Sequence, residues 1–494
     1  MNLADERLKE LDDASLTADE RALLRCRVAA DFIHAGQYGK ARETLGELWR
    51  GTGERPNVEG LEESTAAEVL LQAGVLSSRM GATGQVAGAQ GAAKDLISES
   101  AALFEKLGEP NRAADARADL AICYWREGAY AEARAVLEST AALIEENAEL
   151  KAKTILCFAV VESSAGRYGD TLRLLTESAP LFEEGLNHRL RGIFHNELAI
   201  ALRRVGTAER RQDYLDRAII EYTAAVFHYE QSGHEQYGAS AENNLAFLLY
   251  KLGRYRDAHK HLDRAQAVLT RLKDASTLAQ VDETRARVLI AERRYRDAER
   301  VLAGAVKTFE KGDESALLAE ALTLQGVVWA RLWVYDASIG VLRRAAEVAE
   351  SAGALTTAGQ ALLVLIEEHG ATWRMRPSEA YETYLRADRL LRKTQDAEDI
   401  ARLRACAPVV MKRLTTVRFG DKNFTLPGAV HEFEAKLIER ALEEAGGSVT
   451  RAARLLGLTH QTLDSILRSR HRQLAAKRKP VQRRLKSIIK EPKE

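Results

Sequence analysis

One short pattern recurs along the chain and limits what it can become. It reads Gly-x-Tyr-x-x-Ala and lies between stretches with helix-like apolar spacing. Copies are Gly36-Gln-Tyr38-Gly-Lys-Ala41, Gly128-Ala-Tyr130-Ala-Glu-Ala133 and Gly253-Arg-Tyr255-Arg-Asp-Ala258. Two more, Arg293-Arg-Tyr295-Arg-Asp-Ala298 and Trp333-Val-Tyr335-Asp-Ala337, follow in register, with Tyr255, Tyr295 and Tyr335 each 40 residues apart. Gly166-Arg-Tyr168-Gly-Asp-Thr171 is a looser copy, and Tyr214-Leu-Asp-Arg-Ala218 is looser still. The gap between Tyr38 and Tyr130 leaves room for one degenerate copy near Gly81–Gly91. The spacing predicts helical hairpins: Gly ends one helix, Tyr packs in the turn, and small Ala lets the second helix lie close. No hairpin of this size buries its apolar face alone, so the copies must stack into a superhelix.

The composition agrees with an all-α chain. Only 8 prolines occur in 494 residues, and 46% apolar with 29% charged residues is a soluble balance. No apolar run reaches the ~18 residues of a membrane span, and the acidic N-terminus (Asp5, Glu6, Glu10, Asp12, Asp13) lacks a signal-peptide pattern. A cytoplasmic protein without a membrane partner is expected. Cys26, Cys123, Cys157 and Cys406 are scattered and read as reduced and mostly buried.

The repeat resembles the tetratricopeptide repeat over roughly residues 15–392, or about nine hairpins. A period near 40 exceeds the family's 34, so longer helices are expected. Such extended repeats resemble the sensor domains of bacterial regulators that bind peptides or other proteins. The first helix of each hairpin should line a concave groove. Asn196, Arg203, Arg204, Asn243 and Asn244 fall on such helices. Their side chains either clamp a peptide backbone through paired donors and acceptors, or cap turns and face water. His228, His234, His259 and His261 are crowded in sequence, but His259 and His261 are two apart and so on different helix faces. No metal site and no cofactor are expected.

Near the C-terminus the pattern changes. Ser448 is placed to cap a short helix with Val449, Ala452, Ala453 and Leu456 on one face. Gly457 suits a positive-φ stop, and Thr459 can cap a second helix. In that helix Leu463, Ile466 and Leu467 face inward, leaving His460, Gln461, Asp464, Ser465 and Arg468 outward. Ala453, four before Gly457, lets the two helices cross closely. This is a helix-turn-helix pattern whose second helix can enter a major groove.

Residues 432–469 resemble the C-terminal domain of the Fis family, also found at the end of many bacterial enhancer-binding activators. The matching residues are Phe433-Glu-Ala-Lys-Leu-Ile-Glu-Arg-Ala-Leu442, Gly447, Thr450-Arg-Ala-Ala-Arg-Leu-Leu-Gly457, Thr462-Leu463 and Leu467-Arg468. Where the family often carries Arg or Lys, this chain has Asp464 and Ser465. The helix-turn-helix reading puts Thr459, His460, Gln461, Thr462 and Ser465 at base edges. Thr450, Arg451, Arg468, Arg470 and Arg472 would hold phosphates. A homodimer is expected, because the family binds two adjacent grooves about one helical turn apart.

The zero net charge hides an asymmetry: residues 465–494 carry eleven Lys/Arg against Glu491 and Glu494, a net of +9. Beside a helix-turn-helix, that tail suits phosphates. Between repeats and reader, Met411–Phe419 is rich in β-branched residues, Gly420-Asp421-Lys422 is turn-like, and Asn423–Leu426 could pair back. A short β-hairpin is expected there. Pro427 suits the first turn of a helix that carries Val430, Phe433, Leu437, Ile438, Ala441 and Leu442 on one face. That helix is expected to pack on the reader, to pair with a second subunit, or to do both.

The expected organisation is a TPR-like α-solenoid over 1–395, a linker over 396–427, a Fis-type helix-turn-helix over 428–472 and a basic tail over 473–494. No phosphate loop of the G-x-x-x-x-G-K-[ST] type is present, so the chain lacks the ATPase of the activators it resembles. No G-x-S-x-G or H-E-x-x-H occurs either, and no catalytic residues are assigned. The expectation is a bacterial transcription regulator with two partners, DNA and a protein or peptide. The alternatives are a repeat scaffold that meets nucleic acid non-specifically through its tail, and an RNA-binding accessory protein. From Thr450 onward the chain has no stacking Phe, Tyr or Trp, which disfavours single-strand RNA.

Overall fold

The computed structural model describes residues 11, 15–34, 36–84, 88–144, 146–183, 186–312, 314–372, 374–392, 394, 396–415 and 425–477. Every regular element among them is helical, and the chain divides into two compact units, Met1–Leu414 and Thr415–Glu494.

The first unit is a run of helical hairpins in which each helix packs on its neighbours in sequence. The repeat motif builds each turn as expected. Gly128, Gly166 and Gly253 adopt φ of 77°, 78° and 74°, the left-handed conformation that ends a helix. Arg293 and Trp333, which replace that Gly in later copies, are forced into the same conformation, at φ 61° and 68°. The turn is closed by backbone bonds of one type: Arg254 N–H to Leu249 O (2.8 Å), Arg294 to Leu289 (2.8 Å) and Val334 to Trp329 (2.9 Å). Tyr130, Tyr168, Tyr255, Tyr295 and Tyr335 then open the next helix. Three residues on, Ala133, Ala258 and Ala298 are fully buried.

In the last copy the buried small residue is Ser338, not Ala337, because three residues after Tyr335 is one position further on. The Ser338 hydroxyl donates to the Gly326 carbonyl at 2.6 Å and lies 2.8 Å from His369 Nε2. The degenerate copy is also real. Helices Glu63–Gly84 and Ala89–Lys106 pair there, with Gly88 at φ 79° before the second. Their approach is so close that a Cβ at Gly81 would sit 2.3 Å from Ala89 Cβ.

The solenoid extends further than the sequence boundary at 395. Helix Ala397–Thr415 places Cys406 and Val410 in a core shared with Ile366 and Leu391. Leu403, Cys406 and Val410 fall at helical spacing, and their burial overrides the β-branched bias just beyond. Met411–Thr415, expected as the start of a strand, is therefore helix, and Leu426 opens the next helix instead of ending a strand. The rest of the expected hairpin, residues 416–424, lies outside the described residues.

Ion pairs follow the same lattice. Arg386 reaches Glu350 at 2.8 Å, Arg402 reaches Glu367 at 2.8 Å and Arg331 reaches Glu368 at 2.8 Å, each about one repeat away. These pairs are partly exposed, and surface pairs contribute ~0–1 kcal/mol each, so they tune the stack and do not hold it. The winding also returns on itself. Gly36 lies against Gln236, where a Cβ would come 2.8 Å from Oε1. Lys251 meets Glu398 at 3.2 Å, and Arg204 meets Asp396 at 3.8 Å. All four cysteines are free and buried, and burial pushes Cys157 up to about 12 and Cys406 to about 11. No helix among the described residues is long and apolar enough to cross a membrane.

Candidate nucleic-acid interface

The described residues of the second unit form three helices and a last turn. Leu426–Glu444 leads, with Thr425 accepting the Gly428 N–H at 3.1 Å and Pro427 in the first turn, where its missing N–H costs nothing. Gly446 and Gly447 (φ 61° and 81°) stop it, and Gly447 N–H closes on Leu442 O at 2.8 Å. The support helix Val449–Leu455 follows. Ser448 stands at its cap position, but its hydroxyl makes no capping bond, contrary to the sequence expectation. Gly457, at φ 66°, ends the helix, and Leu458 N–H bonds Ala453 O at 2.8 Å. Thr459 caps the recognition helix His460–Ser469, accepting from Thr462 N–H at 3.1 Å.

These helices close on one core: Ile438, Ala441, Leu442, Ala445, Ala452, Ala453, Leu463, Leu467 and Leu474. Ala453 is buried at the crossing, as its small side chain requires. The inward set Leu463, Ile466 and Leu467 is the one expected, with Ile466 only partly buried.

The outward set forms one surface. His460, Gln461, Asp464, Ser465, Arg468, Ser469 and Arg472 line a shallow open depression. Thr459 and Thr462 are exposed beside it, but their hydroxyls lie 2.8 Å apart and serve the cap. A base contact from either would have to share that bond. Asp464 is not a bare negative charge: Arg468 Nε donates to it at 2.8 Å. Arg472 Nε donates to the Arg468 carbonyl at 2.9 Å, and Thr450 and Arg451 are exposed on the support helix. Arg470 is engaged elsewhere, at 3.2 Å from Glu434 on the leading helix. Residues 478–494, most of the basic tail, lie outside the described residues.

The leading helix divides its apolar residues. Ile438, Ala441 and Leu442 enter the core, whereas Leu426, Val430, Phe433 and Leu437 are 68%, 58%, 65% and 45% exposed. At spacings of three and four these exposed residues form one stripe. Sequence reasoning groups Val430, Phe433 and Leu437 with the buried set on one face; burial separates them.

Another group escaped sequence reasoning. His431, Glu434 and His471 bring their possible ligand atoms within 4.8 Å of one another. His431 and Glu434 share a helix face three residues apart, but His471 arrives only through the tertiary fold.

In the solenoid, Asn196 and Asn244 meet, with Asn244 Nδ2 donating to Asn196 Oδ1 at 3.2 Å. Asn196 also donates to Glu197, whose carboxyl burial raises to about 7. Arg203 lies over the Phe247 ring at 5.2 Å and donates to the Tyr222 hydroxyl at 3.4 Å. Arg204 turns to Tyr168 and Asp396. Asn243 is not part of the Asn196–Asn244 pair, and its Oδ1 is buried without a hydrogen-bond partner. His259 and His261 diverge as expected, to Glu292 at 3.0 Å and to Glu242.

Residues 429–465 match the family described as "Bacterial regulatory protein, Fis family". No curated protein matches this sequence. Among solved structures, a Rap protein complexed with Competence and Sporulation Factor is 18% identical, with a TM-score of 0.48, covering 74% of this chain and 100% of that one. Aspartyl phosphate phosphatase F from Bacillus subtilis is 12% identical, with a TM-score of 0.47 and coverage of 78% and 97%. Yeast Tom70 is 13% identical, with a TM-score of 0.42 and coverage of 84% and 88%. The chain carries a Fis-type helix-turn-helix at its C-terminus, preceded by a TPR-like helical solenoid.

Proposed function

We propose that the protein is a DNA-binding transcription regulator whose solenoid receives a protein or peptide signal. One observation carries this reading. The recognition helix presents His460, Gln461, Ser465 and Arg468 to solvent on a face whose opposite side is locked into the core by Leu463 and Leu467. Rigid backing and a polar, partly basic front are what direct readout requires. Gln461 can pair with adenine, and Arg468 or Arg472 can hold phosphate. The Asp464–Arg468 pair leaves Asp464 as an acceptor for cytosine N4 while muting its repulsion of the backbone. The stripe Leu426, Val430, Phe433 and Leu437 suits a second copy of the chain, which would set two recognition helices on adjacent grooves.

In the solenoid the Asn196–Asn244 pair, with Arg203 stacked on Phe247, offers donors, acceptors and an aromatic face to an extended peptide. Both units act by binding, so no reaction is assigned. A second reading, a scaffold that holds nucleic acid non-specifically, is favoured by the +9 charge of residues 465–494.

Selection of random duplex DNA by the full-length protein at low and moderate salt separates the two. A two-fold-related motif that survives added salt, and that Gln461→Ala with Ser465→Ala relaxes, supports the regulator. Equal binding to every sequence, collapsing with salt, supports the scaffold.

A further inference from the structure

We propose that His431, Glu434 and His471 form a binding site for one divalent transition-metal ion of the zinc class, joining the segment after the recognition helix to the leading helix. His431 and Glu434 lie one turn apart on Leu426–Glu444, so both can face one point. His471, two residues beyond the recognition helix, is fully buried. Its Nε2 lies 3.0 Å from a Glu434 oxygen, and its Nδ1 is buried without a hydrogen-bond partner. The His431 ring stacks on it with centroids 4.2 Å apart.

Two imidazoles and a carboxylate are a donor set for zinc, cobalt, nickel or copper, whereas magnesium and calcium prefer oxygen alone. Bonds of about 2.1 Å in a tetrahedron place ligand atoms about 3.4 Å apart. The Glu434–His471 edge of 3.0 Å is close to that, and the widest spacing in the group is 4.8 Å. His431 is exposed, so turning its ring closes the remaining distance. Water would fill the fourth position.

A hydrogen-bonded clamp without metal accounts for Glu434 and His471 but leaves His431 only stacked on the His471 ring. The competitor on the page is Arg470, whose guanidinium lies 3.2 Å from Glu434. Its side chain is 58% exposed and can leave for solvent. The ion would therefore exchange one cation for another on Glu434. Where DNA is present, and on the regulator reading above, that exchange frees Arg470 for a phosphate.

The test is zinc stoichiometry of the full-length protein, stripped with chelator and re-equilibrated with Zn²⁺ alone, without DNA. The visible spectrum of the Co²⁺ form is recorded alongside. The chain has 11 His, so His188→Ala serves as control, because His188 and His228 make a separate pair at 2.8 Å in the solenoid. Wild type and His188→Ala should keep the same stoichiometry, His431→Ala should lose one equivalent, and the Co²⁺ bands should vanish with it. Glu434→Gln should weaken zinc at least as much as loss of an outer-shell partner does, about 10–100-fold. Both substituted side chains are at least partly exposed, so the fold should tolerate them. Equal stoichiometry in wild type and His431→Ala, or no bound zinc in wild type, overturns the site. Neither outcome bears on DNA binding, which the duplex selection decides separately.

Discussion

The two units bury their apolar faces in different ways. In residues 1–414 the core is a series of clusters, each drawing on neighbouring hairpins, so that Leu302 belongs to one cluster and Phe309, two turns on in the same helix, to the next. Among the described residues of 415–494 a single set of nine closes on itself. An array spreads damage to adjacent repeats, whereas a closed core fails as a whole. The difference teaches where side-chain size matters. The reader depends on the few large residues of its core; the solenoid depends on glycines such as Gly192, Gly326 and Gly359 that let Tyr229, Leu342 and Leu391 close on a neighbouring helix.

The largest expected effect breaks the comparison from the reader's side. Leu463→Ala should cost about 2–5 kcal/mol and unfold the reader, because Leu463 sits at the centre of its only core cluster among the described residues. Calorimetry should show the reader's transition lost and the solenoid's unmoved; a shift of both together would mean the units do not melt separately. Next comes the solenoid. A Cβ at Gly326 would lie 2.4 Å from Leu342 Cγ, so Gly326→Val should destabilise that hairpin by about 1–3 kcal/mol. Hydrogen exchange should rise in 315–351 and its neighbours but not near residue 100.

Within the reader, Thr459→Ala removes a capping bond and should cost about 1 kcal/mol, whereas Ser448→Ala should be nearly neutral because Ser448 makes none. Equal losses would mean that Ser448 also caps in solution. The smallest effect has opposite sign. Trp333 is held at φ 68° and is 77% exposed, so Trp333→Gly should gain up to about 1 kcal/mol in a denaturant melt. Gly457→Ala, at the reader's equivalent turn, should lose about as much.

The same particulars show what the sequence reveals. The hairpins are legible because a turn needing positive φ selects Gly, and a close crossing selects Ala, at fixed offsets. Where one residue fails the pattern, as at Trp333, the tyrosine still sets the register, and the buried position three residues on is Ser338 although Ala337 beside it is the Ala of the pattern. Caps are less legible: Ser448 and Thr459 read alike, yet only one reaches its N–H. The strand expected from Met411 reads correctly as composition but wrongly over Met411–Thr415, because burial of Cys406 and Val410 carries helix that far. The division of the leading helix into buried and exposed apolar residues, and the arrival of His471 at His431, are tertiary facts that periodicity on one helix does not contain.

The return of the winding, Gly36 upon Gln236, has a consequence for how the solenoid transmits force. A linear stack behaves like a spring with free coils: strain at one end dies away through successive repeats. Where one coil rests on another, a short circuit joins points about 200 residues apart along the chain. A side chain added at Gly36 would press on Gln236, in the hairpin that begins at Glu235. The opening hairpin therefore touches the middle of the array as well as its own neighbours in sequence.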